Sequence, residues 1–175
     1  MNAPEFSRPV ALDTLGEAPR AMTVTADDAE RAALARRFGL AAIDRLTAEA
    51  SLRRLGPAVT ATGRIAAAVM QSCVASGVPV PQEIGEPFEI VFRPQPGDAR
   101  PDEEIELDEG ELDTIFYEGG AVDLGEAVAQ TLALTLDPYP RAQEAGAALK
   151  AAGVKGEEES GPFGALASLR DKLKP

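Results

Sequence analysis

The chain has 175 residues, 45% of them apolar, and a formal net charge of −12, enough for one ordinary core with little room for two independent domains. It contains no histidine and one cysteine, Cys73, which rules out an internal disulfide, Ser-His or Cys-His catalytic pairs and zinc sites built from N/S ligands. No stretch reaches about eighteen apolar residues, and the opening MNAPEFSRPV lacks the basic-then-apolar order of a signal peptide, so a cytoplasmic location is expected.

Phe6 to Leu12 mixes Val10 and Leu12 with polar neighbours and predicts a strand, followed by a loop over Gly16 to Pro19 and a short extended piece at Val24. Asp27 and Glu30 have the spacing of an acidic capping arrangement at a helix start. Leu34 and Phe38 lie one turn apart, and Gly39 followed by Leu40 suits the helix end. Leu46 to Arg53 alternates apolar and polar without a break, which predicts a half-buried strand even though propensity alone favours helix. After Gly56-Pro57, the residues Val59, Ala61, Gly63, Ile65, Ala67 and Val69 again occupy alternate positions, so a second long strand forms a hairpin with the first. Phe88, Ile90 and Phe92 mark a third strand closed by Arg93-Pro94, and Ile115 to Tyr117 a fourth. Short connections between strands predict an antiparallel sheet.

Gln95 to Gly110 is rich in proline and carboxylates and reads as a mobile, solvated loop. Residues 1–100 carry eleven basic and twelve acidic side chains, a net of −1, whereas residues 101–175 carry six and seventeen, a net of −11. Such a chain repels phosphate at long range and suits a basic partner protein. Asp102, Glu103, Glu104, Glu106 and Asp108 are the candidate electrostatic contacts, since the segment to Asp113 matches no EF-hand loop. The more balanced first half concentrates Arg31, Arg36, Arg37, Arg45, Arg53, Arg54 and Arg64, which would serve direct RNA contact.

Asp123, with Glu126 three residues on, predicts the cap of a later helix in which Leu124, Val128, Thr131, Leu132 and Thr135 line a face, and Pro138-Tyr139-Pro140 stops it. From Arg141 to Gly161 no pattern suggests burial. The predicted organisation is a single α+β domain over 1–140, a flexible linker over 141–161 and a short amphipathic motif over 162–174. Its sheet is antiparallel and barrel-like, packed by two or three helices. In the last motif Pro162 suits a first helical turn, and Phe163, Leu166, Leu169 and Leu173 share one side. An isolated helix of that length is marginal in water. Pro162, Phe163, Leu166 and Leu169 are therefore candidate docking residues, for a lid on the same domain or for a peptide offered to another molecule. No P-loop, dinucleotide fingerprint or nucleophile-base spacing is present, so no cofactor, metal or enzymatic activity is expected.

Three segments, Gln71 to Pro79 (QSCVASGVP), Ile115 to Glu126 ending in Val-Asp-Leu-Gly-Glu, and Pro162 to Leu169 (PFGALASL), stand in an order and spacing that resembles the YceD family. These are the large ribosomal RNA subunit accumulation proteins, and the resemblance runs from about Glu5 to Lys172. It marks Gln71, Cys73, Gly77, Pro79, Asp123, Leu124 and Glu126 as motif residues. The resemblance implies a small bacterial and plastid factor needed for normal levels of large-subunit ribosomal RNA, often encoded beside a large-subunit ribosomal protein, with no known enzymatic activity. Many members carry a Cys-x-x-Cys pair before Gly-x-Pro, and the second thiol falls here on Ser76. With Cys73 alone, neither a dithiol redox role nor metal binding is available, leaving a small buried turn residue or a reactive thiol. Together with the acidity, the expectation is a ribosome biogenesis factor acting through a basic ribosomal protein or assembly factor. The alternative is direct binding that protects or helps process precursor ribosomal RNA; neither DNA nor a membrane is an expected partner.

Overall fold

In the computed structural model, which describes residues 4–96, 113–146, 149 and 152–154, the chain runs β1 (Pro9–Ala11), a 3-10 turn (Leu12–Thr14), β2 (Arg20–Thr25), α1 (Asp28–Phe38), β3 (Ala42–Leu55), β4 (Ala58–Ser72), β5 (Pro79–Pro94), β6 (Thr114–Tyr117), β7 (Ala121–Asp123) and α2 (Leu124–Thr135). Helix α1 starts on a complete capping box. The Glu30 N–H donates to the Asp27 carboxylate and the Asp27 N–H to the Glu30 carboxylate, each at 2.8 Å. It ends at Gly39, whose φ of 67° is left-handed, and the Leu40 N–H returns to the Ala35 carbonyl at 2.9 Å.

The β3–β4 hairpin forms the centre of a five-stranded sheet of order β2-β3-β4-β5-β6. Leu55 pairs with Ala58 across Gly56-Pro57, and Gly56 at φ 59° supplies the positive φ that a two-residue hairpin turn needs. Alternation then decides the faces. Leu46, Ala48, Ala50 and Leu52 are buried opposite Ala67, Ile65, Gly63 and Ala61, while Thr47, Glu49, Ser51 and Arg53 share the other face with Thr60, Thr62 and Arg64, half-buried or exposed. One face is dry and one is wet, the usual condition of antiparallel strands. Leu34 and Ala35 of α1, Leu124, Val128 and Leu132 of α2, and Phe6, Val10, Leu12 and Leu15 of the N-terminal segment join the dry face in one core.

The sheet departs from expectation in three ways. It is open: β2 and β6 are its two ends and do not pair, so barrel-like closure is not formed. Strand β5 begins at Pro79, nine residues ahead of Phe88, because the prolines and glutamates of its first half hide its periodicity. Strand β6 runs parallel to β5, Val91 pairing with Thr114 and Pro94 with Tyr117, so the sheet is mixed. A parallel pair needs a long connection, and residues 95 to 113 supply one. A separate two-stranded sheet, β1 with β7 antiparallel, was not legible from such short segments.

The acidic segment Asp102–Asp108 and the motif Pro162–Leu169 lie outside the described residues. Contacts divide the chain into two units, one of residues to Gln71 with Pro81–Asp137, the other of Ser72–Val80 with residues from Pro138 onward. Within the second unit Ala145 is buried at 3% exposure, although no periodicity around it suggested burial.

Gly63 shows how tightly the dry face is packed. A Cβ there would lie 2.8 Å from Phe88 Cζ and 2.9 Å from Ala50 Cα, and would overlap the Glu49 carbonyl oxygen, two of these being backbone atoms that cannot swing away. We expect Gly63→Ala to lose about 1–3 kcal/mol of stability, read as a lower denaturant midpoint with an unchanged slope.

Candidate functional site

The Val-Asp-Leu-Gly-Glu segment holds the N-terminal segment. Asp123 is the N-cap of α2 and accepts the Glu126 N–H at 3.1 Å. The same carboxylate accepts the Ser7 hydroxyl at 2.5 Å and the Arg8 N–H at 2.7 Å. Leu124 is fully buried, and its N–H donates to the Arg8 carbonyl at 3.1 Å. Gly125 follows because a Cβ there would sit 2.5 Å from the Phe6 carbonyl oxygen and 2.9 Å from the Arg8 nitrogen. A glycine in the first turn of a helix costs helix stability, so its presence was itself a signal of close backbone approach.

Two arginine clamps complete this latch. The Arg8 guanidinium forks onto Glu30 at 2.6 and 2.8 Å, reaches the Thr25 carbonyl at 3.1 Å, and lies 4.7 Å from the centroid of the Phe6 ring. The Arg37 guanidinium forks onto Glu126 at 2.9 and 2.7 Å and touches Glu5 at 3.0 Å. Hydrogen bonding by Arg8 holds the Glu30 carboxyl below the usual carboxylate range, and hydrogen bonding by Arg37 does the same for Glu126, each against the opposing effect of desolvation. Both folded pKa values are depressed, so the stabilisation is present above the ordinary carboxylate value and is lost as pH falls through the depressed ones. Sequence reading identified Asp123, Leu124 and Glu126 but not Arg8, whose partner Glu30 lies in another element.

The second motif splits by role. Gln71 is 7% exposed; its Nε2 donates to the Asp137 carbonyl at 2.9 Å, and its Oε1 is buried without a partner among the described residues. In the second unit, the turn after β4 closes through the Cys73 N–H to the Val78 carbonyl at 2.8 Å and the Gly77 N–H to the Cys73 carbonyl at 2.9 Å. Gly77 takes φ 71°, which a side chain would strain. Pro79 is exposed and starts β5. The Val74 N–H donates to the Pro140 carbonyl at 2.9 Å, so this turn and the segment after α2 form one small unit.

Cys73 is 3% exposed, yet its surroundings are polar. Hydrogen bonding from the Ser76 side chain first, then from the backbones of Ala142, Ala75 and Ser76, pulls the thiol down to about 7 against the effect of burial. The serine at the position of the second thiol thus keeps a hydrogen-bond donor while giving up dithiol chemistry. Among the described residues no group of three or more metal-ligating side chains comes together.

The arginines of the first half are largely occupied. Arg31 bonds Asp28 and the Ala26 carbonyl, Arg45 bonds Glu83, Arg54 bonds the Gly56 and Leu12 carbonyls, and Arg64 bonds the Gly85 carbonyl. With Arg37 on Glu126 and Glu5, only Arg36 and Arg53 of that set have no acceptor among the described residues, and both are exposed.

Asp123→Ala is expected to destabilise the fold by about 2–4 kcal/mol, combining a lost cap with unpaired N–H and hydroxyl donors, as measured by denaturant unfolding. Thiolate absorbance at about 240 nm is expected to titrate in the native protein with a midpoint of about 7. Ser76→Ala removes the largest cause of that depression and is expected to move the midpoint upward, towards the ordinary thiol value.

No curated protein sequence matches the chain, and no solved structure does. No helix among the described residues is long and apolar enough to cross a membrane. The family described as large ribosomal RNA subunit accumulation protein YceD matches residues 61–170, more than half of the chain and including all three of the segments Gln71–Pro79, Ile115–Glu126 and Pro162–Leu169; it is not a known enzyme family, and its name implies a role in accumulation of the large-subunit ribosomal RNA. The chain belongs to the YceD family.

Proposed function

We propose that this protein supports accumulation of large-subunit ribosomal RNA in the cytoplasm as a non-enzymatic biogenesis factor that binds a basic ribosomal protein or assembly factor. The observation that carries this reading is the charge distribution within a YceD chain: a net of −11 over residues 101–175 favours a cationic partner over phosphate. The arginine contacts support it, since guanidiniums already paired with carboxylates and carbonyls add little to a phosphate-binding surface. Asp102, Glu103, Glu104, Glu106 and Asp108 would steer the partner, and Pro162, Phe163, Leu166 and Leu169 would provide a short apolar contact.

A second reading, direct contact with precursor ribosomal RNA, rests on Arg36 and Arg53. Affinity purification of the full chain from its own cytoplasm, beside a version ending before Pro162, separates the two. Under the favoured reading a basic large-subunit protein or precursor particle is recovered in a salt-sensitive manner, survives nuclease treatment, and is reduced by the truncation. Recovery abolished by nuclease and by Arg36→Glu/Arg53→Glu would support the second reading instead. Recovery of no ribosomal component by either version would overturn both.

A further inference from the structure

Strand β6 ends the larger sheet, and the direction of its backbone groups can be read from its bonds to β5. The Val91 N–H donates to the Asp113 carbonyl at 3.0 Å and the Gln95 N–H to the Tyr117 carbonyl at 3.0 Å. Backbone groups alternate sides along a strand, so those of Asp113, Ile115 and Tyr117 face β5, and those of Thr114 and Phe116 face outward. Beside this edge runs a groove of about 320 Å³ whose lining includes Phe92, Ile115, Phe116, Glu118, Glu126 and Gln130. Phe116 is 53% exposed, and Phe92 and Ile115 give the groove an apolar floor.

Charge selects what fits there. Glu126 is already neutralised by Arg37, but Asp113 and Glu118, exposed at the two ends of β6, have no cationic partner among the described residues. The opposite edge is guarded by cations: on β2 the Thr25 carbonyl is capped by Arg8 at 3.1 Å, and Arg20 is exposed at the strand start. An edge unpaired among the described residues, with an apolar groove and a carboxylate at each end, suits strand addition by a cationic chain.

We propose that the outer edge of β6, unpaired among the described residues, accepts an extended, lysine- or arginine-rich segment of a partner protein as a sixth strand, its apolar side chains entering the groove and its cations meeting Asp113 and Glu118. This rests on the reading that the partner is a basic protein, and names the surface that receives it. Backbone hydrogen bonds from Thr114 and Phe116 would hold the segment, alternate side chains would set specificity, and the two carboxylates would exclude acidic segments.

The test titrates the full-length, isotope-labelled protein with a ten-residue peptide of alternating lysine and valine, using an alternating glutamate and valine peptide as control. The expected result is slowed amide exchange at Thr114 and Phe116 on adding the basic peptide, no effect of the acidic one, and an affinity that falls about tenfold or more between low and moderate salt. Phe116→Pro removes an outward N–H while sparing the bonds to β5, so binding should fall at least about tenfold with the thermal midpoint nearly unchanged. Asp113→Asn/Glu118→Gln should flatten the salt dependence, and it decides the matter if the proline variant fails to fold. Equal binding of both peptides, unchanged binding in the folded variants, or Thr114 and Phe116 amides already protected in the free protein would overturn the proposal. Levels of large-subunit ribosomal RNA in cells that lack the native copy keep the two readings apart. Failure of the wild-type chain to restore them counts against the biogenesis role, whereas restoration by a Phe116→Pro chain that no longer binds the peptide sinks only the β6 assignment.

Discussion

Leu46, Ala48, Ala50 and Leu52 on β3 face the same way as Ala61, Ile65 and Ala67 on β4, and an apolar surface of that extent must be removed from water for the hairpin to persist. The arrangement of the larger unit follows from this need. Helix α1 contributes Leu34, α2 contributes Leu124, Val128 and Leu132, and the N-terminal segment contributes Phe6 and Val10. The opposite face, with Thr47, Glu49 and Ser51 beside Thr60 and Thr62, stays wet because its side chains are polar or small.

Covering the dry face with elements distant in sequence creates a second requirement, that the cover be held in place. Asp123 meets it by capping α2 and receiving Ser7 and Arg8, while Arg8 and Arg37 fork onto Glu30 and Glu126. These pairs are partly exposed, so each on its own would contribute little; their weight comes from shared geometry, since Glu30 also completes the cap of α1 and Asp123 serves three donors. Part of the family motif is therefore structural. It fixes the N-terminal segment, and through β7 and α2 it places the groove beside β6.

The legible parts were those in which one residue type carries one local instruction. Asp27, Glu30 and Gly39 bounded α1 without reference to anything else, and the alternation of β3 and β4 announced strands despite their alanines. On α2, Leu124, Val128 and Leu132 proved fully buried as expected, whereas Thr131 and Thr135 are half-buried and turn their hydroxyls back to the Ala127 and Leu132 carbonyls. The first half of β5 was illegible because Pro79, Pro81 and Pro87 break any hydropathy pattern. For Cys73 the sequence leaves a small buried hydrophobe and a reactive thiol open, and its burial does not separate these. The polar groups that lower its pKa were not legible either, since they come from Ser76 within the turn and from Ala142 some seventy residues on.

The sequence by itself determined the secondary structure of the hairpin and both helices, the sign and location of the charge, and the absence of histidine chemistry, because each depends on neighbouring residues or on composition. Only the tertiary structure decided that the sheet stays open, that β6 joins it in parallel, that Arg8 and Arg37 serve the latch rather than a surface, and which strands form its two edges. These outcomes depend on which distant segments meet, and a meeting such as Arg8 with Glu30 or Val91 with Thr114 is fixed by packing around a shared core, for which no local pattern exists.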